Sequence, residues 1–168
     1  MVTEQPTPKP IPIADDISPE ELIARYLAGP ALVRGAIAGM DEGQLHARPI
    51  PDKMSSHGVV THIVDSEIGL GGRVKRALAG EEPIVSQGGH PEIKSEPERD
   101  LETELARLEI ARAEMAEKLR DLEADAWERV AMRREDRVVT VRQMIMLMTR
   151  HLENHVAAID EKRAALGL

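Results

Sequence analysis

His151 and His155 stand four residues apart in the stretch Thr140-Val-Arg-Gln-Met-Ile-Met-Leu-Met-Thr-Arg-His-Leu-Glu-Asn-His-Val-Ala-Ala-Ile159. On a helix that spacing stacks two imidazoles on one face, about one turn apart. Met144, Met148, His151, His155 and Ile159 then form a single stripe, so the rings lie on the face meant for burial. A polar ring buried there needs a hydrogen-bond partner or a metal. Spacing alone leaves both open. The zinc-protease pattern is excluded, because it requires Glu directly after the first histidine and Leu152 stands there instead.

If a metal is the partner, a third ligand must come from another helix. The chain holds six histidines: His46, His57, His62, His90, His151 and His155. His62 is the best placed, at the edge of an apolar helical face that should neighbour the paired-histidine helix in a compact bundle. His57 lies five residues earlier, off that face, and is expected at the helix start or a pocket rim. His46 and His90 fall in connectors and read as surface residues. Three neutral imidazoles with an open position form a catalytic zinc-type arrangement, which lowers the pKa of a bound water to ~7.

The elements that would position these residues follow from caps and periodicity. Ser18-Pro19-Glu20-Glu21 is a helix start, with Ser as N-cap, Pro at the first turn and Glu three after the cap. The helical spacing continues to about Met40, bent or interrupted at Gly29-Pro30. Asp41 to Lys53 is a connector. Ser55 or Ser56 caps a second helix to Leu78, with Gly80 as its stop. Its glycines suggest close helix approach, ligand space, or an irregular turn near Gly71-Gly72. Glu81 to Glu98 is the longest connector. Asp100 caps a third helix whose seam reads Leu101, Leu105, Leu108, Ala111, Met115, Leu119, Leu122. Ala124 to Val139 is a loop or short hairpin, and Thr140 with Gln143 forms a capping box that opens the histidine helix. The sum is an all-α four-helix bundle with long connectors over residues 17–168, preceded by a flexible Pro-rich lead-in over residues 1–16.

Composition bounds the function. The chain has 168 residues, no cysteine, no phenylalanine, one tryptophan and one tyrosine. Disulfides, thiolate metal sites and cysteine nucleophiles are excluded, and a cytoplasmic location is the default expectation. No apolar run approaches the ~18 residues of a membrane span and no leader-like segment is seen, so no membrane partner is expected. A net charge of -8 argues against nucleic acid, whose binding rests on Lys and Arg neutralising phosphates. The scarcity of aromatics also removes a base-stacking platform.

Glu67 falls near the centre of the second helix's apolar face, where a carboxylate calls for an explanation. It could pair with an arginine from another helix, such as Arg34 or Arg142. It could instead orient a ligand histidine or act as a general base, which makes it a candidate catalytic residue. Asp65 faces outward. Met144, Met146 and Met148 read as core and interface filler rather than soft ligands.

The segment Pro51-Asp-Lys-Met-Ser-Ser-His-Gly-Val-Val-Thr-His62-Ile-Val-Asp65-Ser-Glu67 resembles the second-helix segment of the DinB/YfiT-like superfamily. That segment reads Pro-Gly-Lys-Trp-Ser, then a histidine and an acidic or small stretch ending in Glu. Val139-Thr-Val-Arg-Gln through His155 is similar to the family's last helix, and Trp127 matches its third connector. The resemblance spans residues 18–165. It implies a four-helix bundle holding one divalent metal (Zn, Ni or Fe) through His62, His151 and His155, and a homodimer. It also implies a metal-dependent hydrolase acting on a small molecule. The alternatives are a thiol-dependent transferase or isomerase of the mycothiol or bacillithiol type, or a non-enzymatic metal-stabilised bundle. Met54 in place of Trp and Thr61 before His62 depart from the pattern without removing a ligand.

Overall fold

The computed structural model describes residues 13–85 and 98–168. The first helical arm is α1 (Pro19–Leu27) followed by α2 (Gly29–Ile37). A short α3 (Glu42–His46) lies in the connector, and then comes the long α4 (Ser56–Leu78). A two-residue strand β1 (Ile84–Val85) precedes α5 (Leu101–Arg120) and α6 (Ala124–Trp127). The hairpin β2 (Val130–Arg133) and β3 (Val138–Thr140) leads directly into α7 (Val141–Ala165). The bundle is formed by the α1–α2 arm, α4, α5 and α7, with α4 packed on both α5 and α7. Among the described residues no helix is long and apolar enough to cross a membrane.

The expected caps are in place. Ser18 and Glu21 form a reciprocal capping box at α1, and Thr140 and Gln143 form another at α7. Ser55 caps α4 and Asp100 caps α5 through the backbone N–H three residues on. Each such cap holds a helix end by about 1 kcal/mol. Gly80 ends α4 at a φ of 75°, a conformation in which a Cβ would be strained. The helix runs without interruption through Gly71-Gly72, and a Cβ at Gly71 would lie in ordinary contact with the methyls of Met115 and Met148.

Three expectations change. The chain is mostly helical, but a three-stranded sheet in the order β1-β2-β3 sits beside the bundle, β1 parallel to β2 and β2 antiparallel to β3. The polar run Arg133 to Arg137 is its hairpin turn, closed by the Arg134 N–H donating to the Arg137 carbonyl at 2.7 Å. The connector after residue 40 contains the capped turn α3. On α5 the seam passes through Arg112 rather than Ala111: Leu105, Leu108, Arg112, Met115 and Leu119 are all buried, and Ala111 is only half-buried. The lead-in and the connector after Glu81, with His90, lie largely outside the described residues. Of the lead-in's last residues, Ile13 is buried in the core.

The break between α1 and α2 has a specific cause. In an unbroken helix the N–H of residue 30 would donate to the carbonyl of Tyr26, but Pro30 has no N–H. The Tyr26 carbonyl accepts instead from Arg112 Nη1 at 2.6 Å. Gly29 makes that approach possible, since a Cβ there would run into Arg112 Nη1 and lie 2.9 Å from Leu152 Cδ1. Gly29→Ala should therefore destabilise the fold by about 1–3 kcal/mol despite its better helix propensity. Gly35→Ala, with nothing within 4 Å of its Cβ, should be neutral or stabilising by up to ~1 kcal/mol. Urea unfolding of the two variants reads the difference.

Candidate metal centre

His62 stands on α4, and His151 and His155 on α7. Because α4 and α7 pack side by side, the two helices aim all three rings at one point. His151 Nε2 lies 3.1 Å from His62 Nε2 and 3.1 Å from His155 Nε2. One ring nitrogen from each residue falls within 4.8 Å of the others, a grouping that could hold a metal ion. The ring centroids are 4.5 to 5.1 Å apart and the rings are mutually tilted. Zn–N bonds of ~2.0–2.1 Å would place two nitrogens that share an ion roughly 3–3.5 Å apart. The observed separations are of that size, and the donor set is three borderline nitrogens with no charge of its own. All three residues are half-buried. On one side of His151 a cleft of about 430 Å³ runs along α7.

The other histidines are not part of this cluster. His57 is buried at the start of α4, where its Nε2 lies 2.8 Å from the carbonyl oxygen of Arg99 and its ring stacks on that of His46 at 4.4 Å. A carbonyl only accepts, so Nε2 of His57 carries the proton. Arg99 in turn binds Asp65 at 2.8 Å and the buried Glu104 at 2.9 Å, which fixes the start of α5 against α4. Asp65 is largely exposed, as expected, while Met144, Met146 and Met148 are core residues.

Glu67 is buried and does pair with an arginine, but the arginine is Arg112. Arg34 is occupied by Glu102 and Glu109, and Arg142 donates to the carbonyls of Asp15 and Ile17. Arg112 Nε and Nη2 donate to Glu67 Oε2 at 3.1 and 2.8 Å, and the Tyr26 hydroxyl donates to Glu67 Oε1. Both carboxylate oxygens are thus engaged. Arg112 Nη2 also reaches the carbonyl of Met148 at 3.2 Å, and its guanidinium lies 4.2 Å from the centre of the Tyr26 ring. One side chain from α5 therefore bonds α1, α4 and α7 at once. Met148 is one turn before His151, so the same guanidinium that holds Glu67 of α4 holds the histidine helix at that level. A second tie, Arg25 to Glu153 at 2.7 Å, joins α1 to α7 between the two histidines. Arg112 was missed from sequence because Ala111 was given its place. The signal was there, since 105, 108, 112, 115 and 119 alternate steps of three and four without a break.

Burial raises the Tyr26 hydroxyl well above the ordinary tyrosine range; the nearby Glu67 carboxylate adds to this, and Arg112 only partly opposes it. The folded state thus keeps a proton that the unfolded chain loses at about pH 10. Stability from this group is complete below that pH and is lost progressively above it. As the sole tyrosine, Tyr26 gives a clean readout: tyrosinate absorbance should appear only as the chain unfolds, and Tyr26→Phe should flatten the alkaline fall in stability. Glu67→Ala, which strands a buried guanidinium, should cost about 3–5 kcal/mol. Replacing Glu67 and Arg112 together by methionine should cost much less than Glu67→Ala, measured by denaturant unfolding.

The DinB superfamily model matches residues 25–159. Among solved structures the chain is similar to YfiT from Bacillus subtilis, a probable metal-dependent hydrolase with an unusual four-helix bundle topology. The TM-score is 0.79, with 23% identity over 94% of each chain. No curated protein matches. At that identity the structural likeness speaks for the fold, and the family match covers most of the sequence. The chain belongs to the DinB superfamily.

Proposed function

We propose that His62, His151 and His155 hold one divalent metal ion and that the protein is a metal-dependent hydrolase of small molecules. The observation that carries this reading is the meeting of three imidazole Nε2 atoms from two helices, with separations of 3.1 Å. The description of YfiT as a probable metal-dependent hydrolase supports it. A divalent ion on three neutral imidazoles with open positions polarises a substrate carbonyl and supplies an activated water near neutral pH.

The chain's own residues set the conditions for that chemistry. Arg112 keeps α4 and α7 in register through Glu67 and the Met148 carbonyl, so His62 stays opposite His151 and His155. Half-burial of the rings leaves access for a small substrate from the side of the α7 cleft. Thiol transfer would use the same centre, but the absence of cysteine means the thiol must arrive as a cosubstrate.

Untagged protein should carry close to one equivalent of a divalent metal by elemental analysis, and His151→Ala should lose most of it while remaining folded. Full metal content in His151→Ala contradicts the assignment. Small esters and amides, with and without a low-molecular-weight thiol and before and after chelation, separate the reactions. Metal-dependent turnover without thiol is the expected result, thiol-dependent turnover favours transfer, and inactivity throughout leaves a metal-stabilised bundle.

A further inference from the structure

The cleft beside His151 is lined by polar and apolar residues that the histidine centre does not use. The apolar part of its lining is Val138 and Val139 of β3 with Met146 and Leu147 of α7. Its polar lining includes Arg137 from the hairpin turn and Arg150 from α7, with Asp15 as the carboxylate. Two guanidiniums against one carboxylate give a positive lining in a chain of net charge -8. Several other arginines are neutralised, Arg25 by Glu153, Arg34 by Glu102 and Glu109, and Arg112 by Glu67, while Arg142 and Arg163 donate to backbone carbonyls. Among the described residues neither Arg137 nor Arg150 has a carboxylate partner. Among the described residues the one side-chain bond seen for Arg150 is a long one, 3.5 Å, from Nη2 to the Ile13 carbonyl.

From these features we infer an anion subsite: Arg137 and Arg150 bind the carboxylate or phosphate head of a small amphiphilic substrate. Its apolar part lies on Val138, Val139, Met146 and Leu147, and its reactive bond reaches the His151 end. The geometry fits such a ligand. The α7 residues that line the cleft run from Gln143 to Asn154, a span of roughly 16 Å at ~1.5 Å per residue, and Val138 and Val139 of β3 line it as well. The volume of about 430 Å³ is within the range of roughly 300–1,000 Å³ that small-molecule sites occupy. A guanidinium fork matches carboxylate and phosphate oxygens in paired hydrogen bonds, and Asp15, the one carboxylate of the lining, forms no ion pair with either arginine among the described residues. Arg150 and His151 both line the cleft, so an anion held by the arginine shares that cleft with one of the three histidines. Which end of the ligand reacts rests on the metal-centre reading; the arginine subsite does not.

The test uses the full chain, metal-free after chelation and metal-loaded, titrated calorimetrically with hexanoate, hexyl phosphate and the neutral hexanamide. The metal-free chain should bind at least one of the anions about tenfold or more tighter than hexanamide, a difference of ~1.4 kcal/mol. The ranking of hexanoate against hexyl phosphate assigns the head group. The exposed-site double variant Arg137→Gln/Arg150→Gln should lose that preference with an unchanged unfolding midpoint. Equal binding of anion and amide, or undiminished anion binding by the double variant, overturns the subsite. Anion binding that vanishes on chelation also overturns it, since the histidine centre would then be the anion's site. Failure of the metal-centre reading looks different: the chain takes up no metal, yet the metal-free protein still prefers the anions.

Discussion

The buried Arg112–Glu67 pair is the constraint on which this bundle depends. An arginine at a seam position would be costly if it met only apolar neighbours. Here its nitrogens are taken by the Glu67 carboxylate, the Tyr26 carbonyl and the Met148 carbonyl, and its face by the Tyr26 ring. Those partners come from three different helical segments. The guanidinium is therefore satisfied only when α1, α4 and α7 are assembled around α5. Apolar packing of residues such as Leu22, Val60, Leu108 and Leu152 supplies most of the drive for collapse. It does not choose a register, whereas a forked donor with fixed acceptors can.

Two sequence features that look like defects belong to the same arrangement. Gly29-Pro30 breaks the first helical arm, and the break frees the Tyr26 carbonyl for Arg112 while the missing Cβ leaves space for it. Glu67, a carboxylate on an apolar face, is the counter-charge. The register they set together places His62 of α4 against the His151 and His155 pair of α7, so the polar core and the histidine centre are successive levels of one construction.

Much of this was legible beforehand because it is local. Caps at Ser18, Ser55, Asp100 and Thr140, and the stop at Gly80, are written in short-range hydrogen bonding, and they gave the helix boundaries within a few residues. The helical pairing of His151 with His155 is likewise local. His62 needed one further assumption, that α4 would neighbour α7. What escaped is what depends on distant partners. Glu67 was seen to need an arginine, but Arg34 and Arg142 are no worse on sequence grounds than Arg112. Only the packing of α5 decides among them. The β2–β3 hairpin was one of the two readings of Ala124 to Val139, but the third strand escaped for the same reason: β1 has just two residues, and its parallel partner β2 lies across the whole of α5.

The central claim is that one metal ion is held by His62, His151 and His155. X-ray absorption at the edge of the metal found in untagged protein tests it most directly, because imidazole rings give a characteristic outer-shell scattering pattern. Three imidazoles on the metal are expected in the wild-type chain, with oxygen donors filling the remaining positions, and fewer imidazoles in His62→Ala. A first shell made of oxygen alone, or an imidazole count unchanged in His62→Ala, would contradict it.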